Sequence, residues 1–264
     1  MSVIHVDNPD DERLSDFKAV SDPERARTHG VFIAEGRLVV RRLLTESRLT
    51  PRSVMVTSTA MRAIEDALIS RPDLPVYVVP KDVMEAVSGF NIHRGCLAAG
   101  ERPRRHDWHT WLAPAQRAVI LERVGDADNV GGIFRSAAAF GVGVVLLGPD
   151  CADPLYRKAI RTSMGAALTL PFADAEPWPS VLTELAAAGW AVTAMTPAPD
   201  AMPLRDFSAA TRSRRVAIVL GHEGDGLTAA ALDACEYRVR IPIRPSVDSL
   251  NVATAAAVAL YALS

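Results

Sequence analysis

The sequence predicts an α/β protein whose larger part is built on a parallel sheet. Three observations predict it. Segments such as "RAVILERV", "VGVVLLG", "WAVTAMT" and "RVAIVLG" are continuously apolar rather than alternating, as in strands buried on both faces. Stretches with helical apolar spacing separate them, the order expected of a sheet covered on both sides. Glycine or proline follows several of the strands, where loops must turn.

Residues 1–14 read as a polar lead-in. A helix is predicted over Asp16–Arg27, then a short strand in "GVFIAEG" closed by Gly36. "RLVVRRLLTES" has helical spacing at Leu38, Val39, Leu43 and Leu44. "SVMVTS" is a strand, Ala60–Ser70 a helix, "VYVVP" a strand, Lys81–Val87 a short helix and "CLAAGER" a strand. In "ERPRRHDWHTWLAPAQ" no period is visible, so it divides the chain. An N-terminal domain is expected over 1–105, with 15–100 as its ordered core, a linker over 106–116 and a C-terminal domain over 117–264. The second domain repeats the alternation. Its predicted helices are Val130–Phe140, "PLYRKAIRTSMGAA", Val181–Ala188, Thr228–Ala234 and Asn251–Leu263, and "LTLPFAD" and "YRVRIPI" add strands.

Composition excludes several classes. About half of the 264 residues are apolar, enough for a substantial core, and the formal charge is −2 with no acidic or basic tail. Such a balance argues neither for nor against a nucleic-acid partner, because a local basic patch can sit on a near-neutral chain. Cys96, Cys151 and Cys235 are far apart, which argues against a disulfide framework and for a reducing compartment. No signal peptide or membrane-spanning run is visible, so a cytoplasmic location is expected. His106 and His109 in "HDWH" have metal-like spacing but no further ligand nearby, and no metal is expected. Trp108 and Trp111 read as packing residues.

Ligands of open α/β sheets bind beyond the carboxyl ends of the strands, and three such ends carry unusual residues. In "ERVGDADNVGGIFRSAAAFG", Asp128 or Asn129 is a plausible N-cap, Gly131 and Gly132 allow a close backbone approach, and Arg135 follows a turn later. In "AIVLGHEGDGL", three glycines surround His222, Glu223 and Asp225, an acidic loop suited to hydroxyl or amine groups rather than phosphate. In "RIPIRPSVDSLN", two prolines stiffen a loop that ends in Asp248, Ser249 and Asn251. Asp248 or Ser249 could cap the last helix, but one cap does not account for Ser249 and Asn251 together.

Taken together, N-x-G-x-I-x-R (Asn129, Gly131, Ile133, Arg135), L-G-x-E-x-x-G-L (Leu220, Gly221, Glu223, Gly226, Leu227) and I-P-I…S-L-N-V (Ile241, Pro242, Ile243, Ser249 to Val252) resemble the three ordered motifs of the SpoU (TrmH-like) RNA methyltransferases of the SPOUT superfamily. "RTSMGAALTLPF" is similar to the family's segment between the first two motifs. The resemblance runs from about Val119 to the end. More loosely, "FIAEGRLVVRRLL" and "HRGCLAAG" resemble a ribosomal-protein-like substrate-binding domain often fused to this family. Pro245 stands where many members have glycine.

The resemblance implies a C-terminal parallel-sheet domain with a deep trefoil knot, a homodimer, S-adenosylmethionine as cofactor and methyl transfer to a ribose 2′-hydroxyl of ribosomal or transfer RNA. It implies Thr196, Leu220, Gly221, Gly226, Ile241, Ile243 and Leu250 around the cofactor, and Asn129, Arg135, Glu223, Ser249 and Asn251 around the reacting ribose. Arg135 is the expected contact to the target phosphate or hydroxyl. RNA contacts are expected from Arg37, Arg41 and Arg94, and from Arg157, Lys158 and Arg161, which are spaced for one helical face. Two other classes compete. A non-catalytic RNA-binding or ribosome-assembly protein would be expected to lack Arg135, Glu223 or Asn251, and all are present. A nucleotide-binding dehydrogenase needs a glycine-rich turn after its first strand, which "GDADNVGG" fits poorly.

Overall fold

The computed structural model describes residues 2–20, 23–89, 92, 95–103 and 108–264. The contacts divide the chain into two compact units, Met1–Arg104 with Pro154–Thr169, and Arg105–Asp153 with Leu170–Ser264.

The first unit holds five strands: β1 (Ser2–His5), β2 (Val31–Glu35), β3 (Pro51–Val56), β4 (Pro75–Val78) and β5 (Cys96–Glu101). Their order in the sheet is β1-β4-β3-β5-β2. β1, β4 and β3 run parallel, whereas β5 is antiparallel to both β3 and β2, so this sheet is mixed. The polar lead-in expected over 1–14 in fact opens with β1 at a sheet edge, where one face stays in solvent and no continuous apolar run is needed. The helix expected over Asp16–Arg27 is instead a 3₁₀ segment, Glu12–Val20, followed by a short helix, Pro23–Thr28. Pro23 lacks an amide hydrogen and cannot continue a helix begun before it, but it suits a first helical position.

The segment 154–169 comes from the middle of the predicted C-terminal domain, yet it joins the first unit. The bonds that hold it are specific. Arg157 pairs with Glu35 at 2.8 Å, Arg42 Nη1 donates to the Met164 carbonyl at 2.6 Å, and Ser47 Oγ donates to the Leu168 carbonyl at 2.7 Å. Its helix is also shorter than the sequence suggested. It covers Arg157–Thr162 and stops where Met164 and Gly165 take φ values of 53° and 84°. A left-handed pair there ends the regular hydrogen-bond ladder.

The second unit contains seven strands: β6 (Arg117–Leu121), β7 (Val144–Leu147), β8 (Phe172–Asp174), β9 (Ala191–Met195), β10 (Met202–Pro203), β11 (Val216–Leu220) and β12 (Tyr237–Arg240). Every pairing is parallel, in the order β10-β12-β9-β11-β6-β7-β8. The core is packed between this sheet and its helices, with Trp190, Leu185, Ile120 and Val219 at 0% exposure. The residues expected as a linker are partly core. Trp108, Leu112 and Ala115 are buried around a short helix, His109–Leu112, while His109 stacks on Trp108 and lies 3.6 Å from Glu184. His106 lies outside the described residues. Among the described residues no helix is long and apolar enough to cross a membrane.

β12, β9, β11 and β6 are adjacent, so their carboxyl ends form one continuous edge. All three loops singled out in the sequence leave from this edge.

Candidate functional site

The loop after β6 leads into the helix Ala127–Ala139. Its N-cap is Asp126, whose carboxylate accepts from the Asp128 amide at 2.7 Å, rather than Asp128 or Asn129. The helix therefore starts earlier than the sequence suggested, and Asn129 sits inside its first turn with the side chain not engaged in capping. The last helix, Val252–Leu263, is capped by Asn251 rather than by Asp248 or Ser249. Asn251 Oδ1 accepts from the amides of Ala253 at 3.0 Å and Thr254 at 3.2 Å. The two helices pack closely at Gly132, where an added Cβ would lie 3.0 Å from the Ala253 Cβ.

That approach brings three distant polar side chains into one line. Asn251 Nδ2 donates to Asn129 Oδ1 at 2.8 Å, and Asn129 Nδ2 donates to Glu223 Oε1 at 2.5 Å. The orientation of each amide follows from helix capping. Asn251 must turn its oxygen to the helix amides, so its nitrogen faces Asn129. Asn129 must then offer its oxygen to Asn251, which leaves its own nitrogen for the carboxylate.

The loop after β11 turns back on itself. His222 N donates to the Gly226 carbonyl at 3.2 Å, and Gly226 N donates to the His222 carbonyl at 3.0 Å. His222 Nδ1 accepts from the amides of Gly224 and Asp225 at 3.0 and 3.1 Å, so the imidazole organises the loop. Gly221 admits no side chain, because a Cβ there would come within 2.5 Å of the Gly226 carbonyl carbon.

Against this loop lies a cavity of about 310 Å³. Its walls include Thr196 after β9, Leu220 at the end of β11, Gly221, Glu223 and Gly226 from the loop that follows, and Ile241, Ile243, Ser249 and Leu250 after β12. All seven residues expected around a cofactor line it. Of the five expected around the ribose, Glu223 and Ser249 line it directly, while Asn129 and Asn251 stand behind Glu223 through the hydrogen bonds above. Arg135 is not brought into the cavity. It is exposed, six residues along the helix from Asn129, which is about 9 Å of axial rise. Among the described residues, nothing within one chain bonds Arg135 to Glu223 or Asn251. Pro245 is exposed and lies off the cavity wall.

The structure separates the expected RNA-contact residues. Arg37 and Arg161 are exposed, and Lys158 is half-buried. Arg41 is paired with Asp66, and Arg157 is held against Glu35. Arg94 lies outside the described residues.

One residue went unnoticed in the sequence. Glu122, directly after β6, is fully buried. Its carboxylate accepts from Trp178 Nε1 at 2.8 Å, Thr228 Oγ1 at 2.7 Å and Thr228 N at 2.8 Å. An acid directly behind the apolar run Ala118–Leu121 was the available signal. Among the described residues no group of three or more His, Cys, Asp or Glu side chains is placed to hold a metal.

A parallel sheet with polar residues gathered at the carboxyl ends of its central strands is the architecture of an α/β enzyme with a small-molecule site at its switch region. Comparison with known proteins narrows that class. A model of the SpoU rRNA Methylase family matches residues 116–261, more than half of the chain. An uncharacterized tRNA/rRNA methyltransferase of Mycobacterium tuberculosis is 43% identical over 265 residues, covering 99% of this chain and 91% of that one. The 23S rRNA (guanosine(2553)-2'-O)-methyltransferase RlmP of Bacillus subtilis is 26% identical and is covered to 98%, as is this chain. In fold, the AdoMet-bound rRNA methyltransferase of Sinorhizobium meliloti superposes with a TM-score of 0.82 at 22% identity, covering 99% of this chain and 97% of that one. The chain belongs to the SpoU rRNA methylase family.

Proposed function

We propose that this protein transfers a methyl group from S-adenosylmethionine to a ribose 2′-hydroxyl of RNA, ribosomal or transfer. The observation that carries it is the Glu223–Asn129–Asn251 line, set beside a cavity walled by three loops from adjacent strand ends. The name of the Bacillus subtilis relative supports ribosomal RNA.

The residues present fit the cofactor. The cavity volume falls within the range of small-molecule sites, about 300–1,000 Å³. Leu220, Ile241, Ile243 and Leu250 offer apolar contact to an adenine, and Thr196, Glu223 and Ser249 offer polar contact to ribose and amino-acid groups. When bound, S-adenosylmethionine supplies a sulfonium-activated methyl group, so the protein's task is alignment. Glu223 and Ser249 orient the acceptor ribose, and Asn129 and Asn251 hold the Glu223 carboxylate in place. Arg135 contacts the target phosphate or hydroxyl and steadies developing negative charge on the oxygen.

The finer architecture belongs to the same proposal. Residues 117–264 carry a deep trefoil knot, and RNA is bound through the N-terminal domain at exposed Arg37 and through exposed Arg161 and half-buried Lys158 of the 154–169 segment. The protein acts as a cytoplasmic homodimer. Exposed Val258 and Tyr261 on the last helix, the latter against Phe140, supply apolar surface for self-association. A second copy would also give Arg135 a site to complete.

The test is incubation with labelled S-adenosylmethionine and total RNA, followed by mapping of the labelled nucleoside. Label on a ribose is expected, with none on RNA carrying 2′-deoxy at that position. Continued labelling of the deoxy substrate would show base methylation. Absence of any label would favour a non-catalytic RNA-binding protein.

A further inference from the structure

Arg123 takes φ 58°, in the left-handed region where a side chain other than glycine, Asn or Asp is unusual. Two bonds hold it there. Its amide donates to the Pro149 carbonyl at 2.8 Å, and its guanidinium donates to Asp225 Oδ2 at 2.9 Å. Asp225 lies two residues beyond Glu223 in the His222–Gly226 turn.

The neighbouring residue grips the same loop at both ends. Glu122 N donates to the Leu220 carbonyl at 2.9 Å at the loop entry. Its buried carboxylate holds Thr228 N and Oγ1 at the exit, and Thr228 in turn caps the helix Ala229–Ala234. The dipeptide Glu122–Arg123 therefore fixes the loop at its start, its middle and its end. Glu122 anchors the stems, which the fold needs in any case. Arg123 acts on the tip, where it adds a tie from outside the loop to an exposed Asp225 whose amide is already held by His222 Nδ1.

We propose that Arg123 is a positioning residue. By pairing with Asp225 it sets the tip of the 222–226 loop so that Glu223 meets Asn129. This role rests on the proposed methyl transfer for its consequence in catalysis, but not for its effect on the loop.

Arg123→Gly separates this role from a general structural one, because glycine accepts φ near 58° without strain while losing the ion pair. The expected result is an unchanged or raised thermal midpoint. In the protein without cofactor, hydrogen exchange at the amides of residues 222–227 should be about fivefold faster, the fold-change that corresponds to loss of an exposed ion pair. Methyl transfer should fall by a similar factor in kcat, with KM for RNA nearly unchanged. Asp225→Asn should reproduce the loop effect. The exchanged pair Arg123→Asp with Asp225→Arg should restore it, since aspartate tolerates the left-handed conformation. Unchanged loop exchange in both single variants overturns the proposal, as does a loss that follows the thermal midpoint. If the wild-type protein labels no RNA while the loop exchange behaves as expected, the clamp stands and the methyl-transfer function falls.

Discussion

Asn251 donates its side-chain amide to Asn129 at 2.8 Å, across 122 residues of chain. The same Asn251 caps the last helix, so a structural duty and a site duty share one side chain. Its carbonyl oxygen belongs to the helix and its nitrogen to the site.

Asn251→Asp divides these duties. A carboxylate caps a helix as well as an amide does, so the thermal midpoint should stay close to wild type. It has no N–H to donate, and it would meet the Asn129 oxygen with repulsion. Methyl transfer should drop by about tenfold, equivalent to roughly 1.4 kcal/mol for one lost hydrogen bond. Asn251→Ala should lose both duties, with about 1 kcal/mol less stability by chemical denaturation. A fully active Asn251→Asp protein would remove the network from the mechanism.

Arg135 is exposed, and nothing in the described chain holds it. Arg135→Ala should therefore change stability by no more than about 0.5 kcal/mol. Calorimetric affinity for S-adenosylmethionine should be nearly unchanged, and single-turnover methylation should slow by about 100-fold or more. Wild-type turnover in this variant would exclude Arg135 from the reaction.

Gly221→Ala is expected to act on the cofactor. The new Cβ would fall 2.5 Å from the Gly226 carbonyl carbon and 2.6 Å from the Leu227 nitrogen, both main chain. Overpacking of this kind costs about 1–3 kcal/mol. If the loop yields to the clash, affinity for S-adenosylmethionine should fall by about five- to hundredfold in titration calorimetry, with the fold retained by circular dichroism.

Basic residues of the first unit should part into two groups. Reversal of Arg37 or Arg161 to Glu should weaken RNA binding and lower the slope of log affinity against log salt by about 1 each. Arg157→Ala should instead lower the thermal midpoint, because it leaves Glu35 without its partner at the attachment of segment 154–169. A steep loss of RNA affinity from Arg157→Ala at unchanged stability would reverse this assignment.

Burial pushes the Cys96 thiol up to about 12 from its usual 9.0. The unfolded chain releases this proton near 9 and the folded chain holds it to about 12. Its contribution to stability is therefore complete below pH 9 and is lost as pH rises toward 12, by at most about 1.4 kcal/mol per pH unit. Denaturation of Cys96→Ala across that window should show a shallower fall than wild type.

Much of the site is legible in the sequence. The Asp and Asn residues with two glycines after β6, the glycines around Glu223 after β11, and the prolines and polar pair after β12 marked three loops, each at the end of an expected strand. The caps were misplaced. Asp126, Asp128 and Asn129 are all competent N-caps, and propensity does not choose among neighbours of equal strength. The β1 strand was missed because an exposed edge strand carries little apolar pattern.

The sequence by itself determined most of the strands and helices, and which loops carry polar residues, because these depend on local periodicity and turn chemistry. Only the tertiary structure decided which side chains meet. The strand order puts β6 beside β11, so Asn129 reaches Glu223 and Arg123 reaches Asp225, while Arg135 stays in solvent. It also decided that Pro154–Thr169 packs with the first unit. Contacts between residues about a hundred positions apart are set by sheet order and helix packing, and a local pattern carries no record of either.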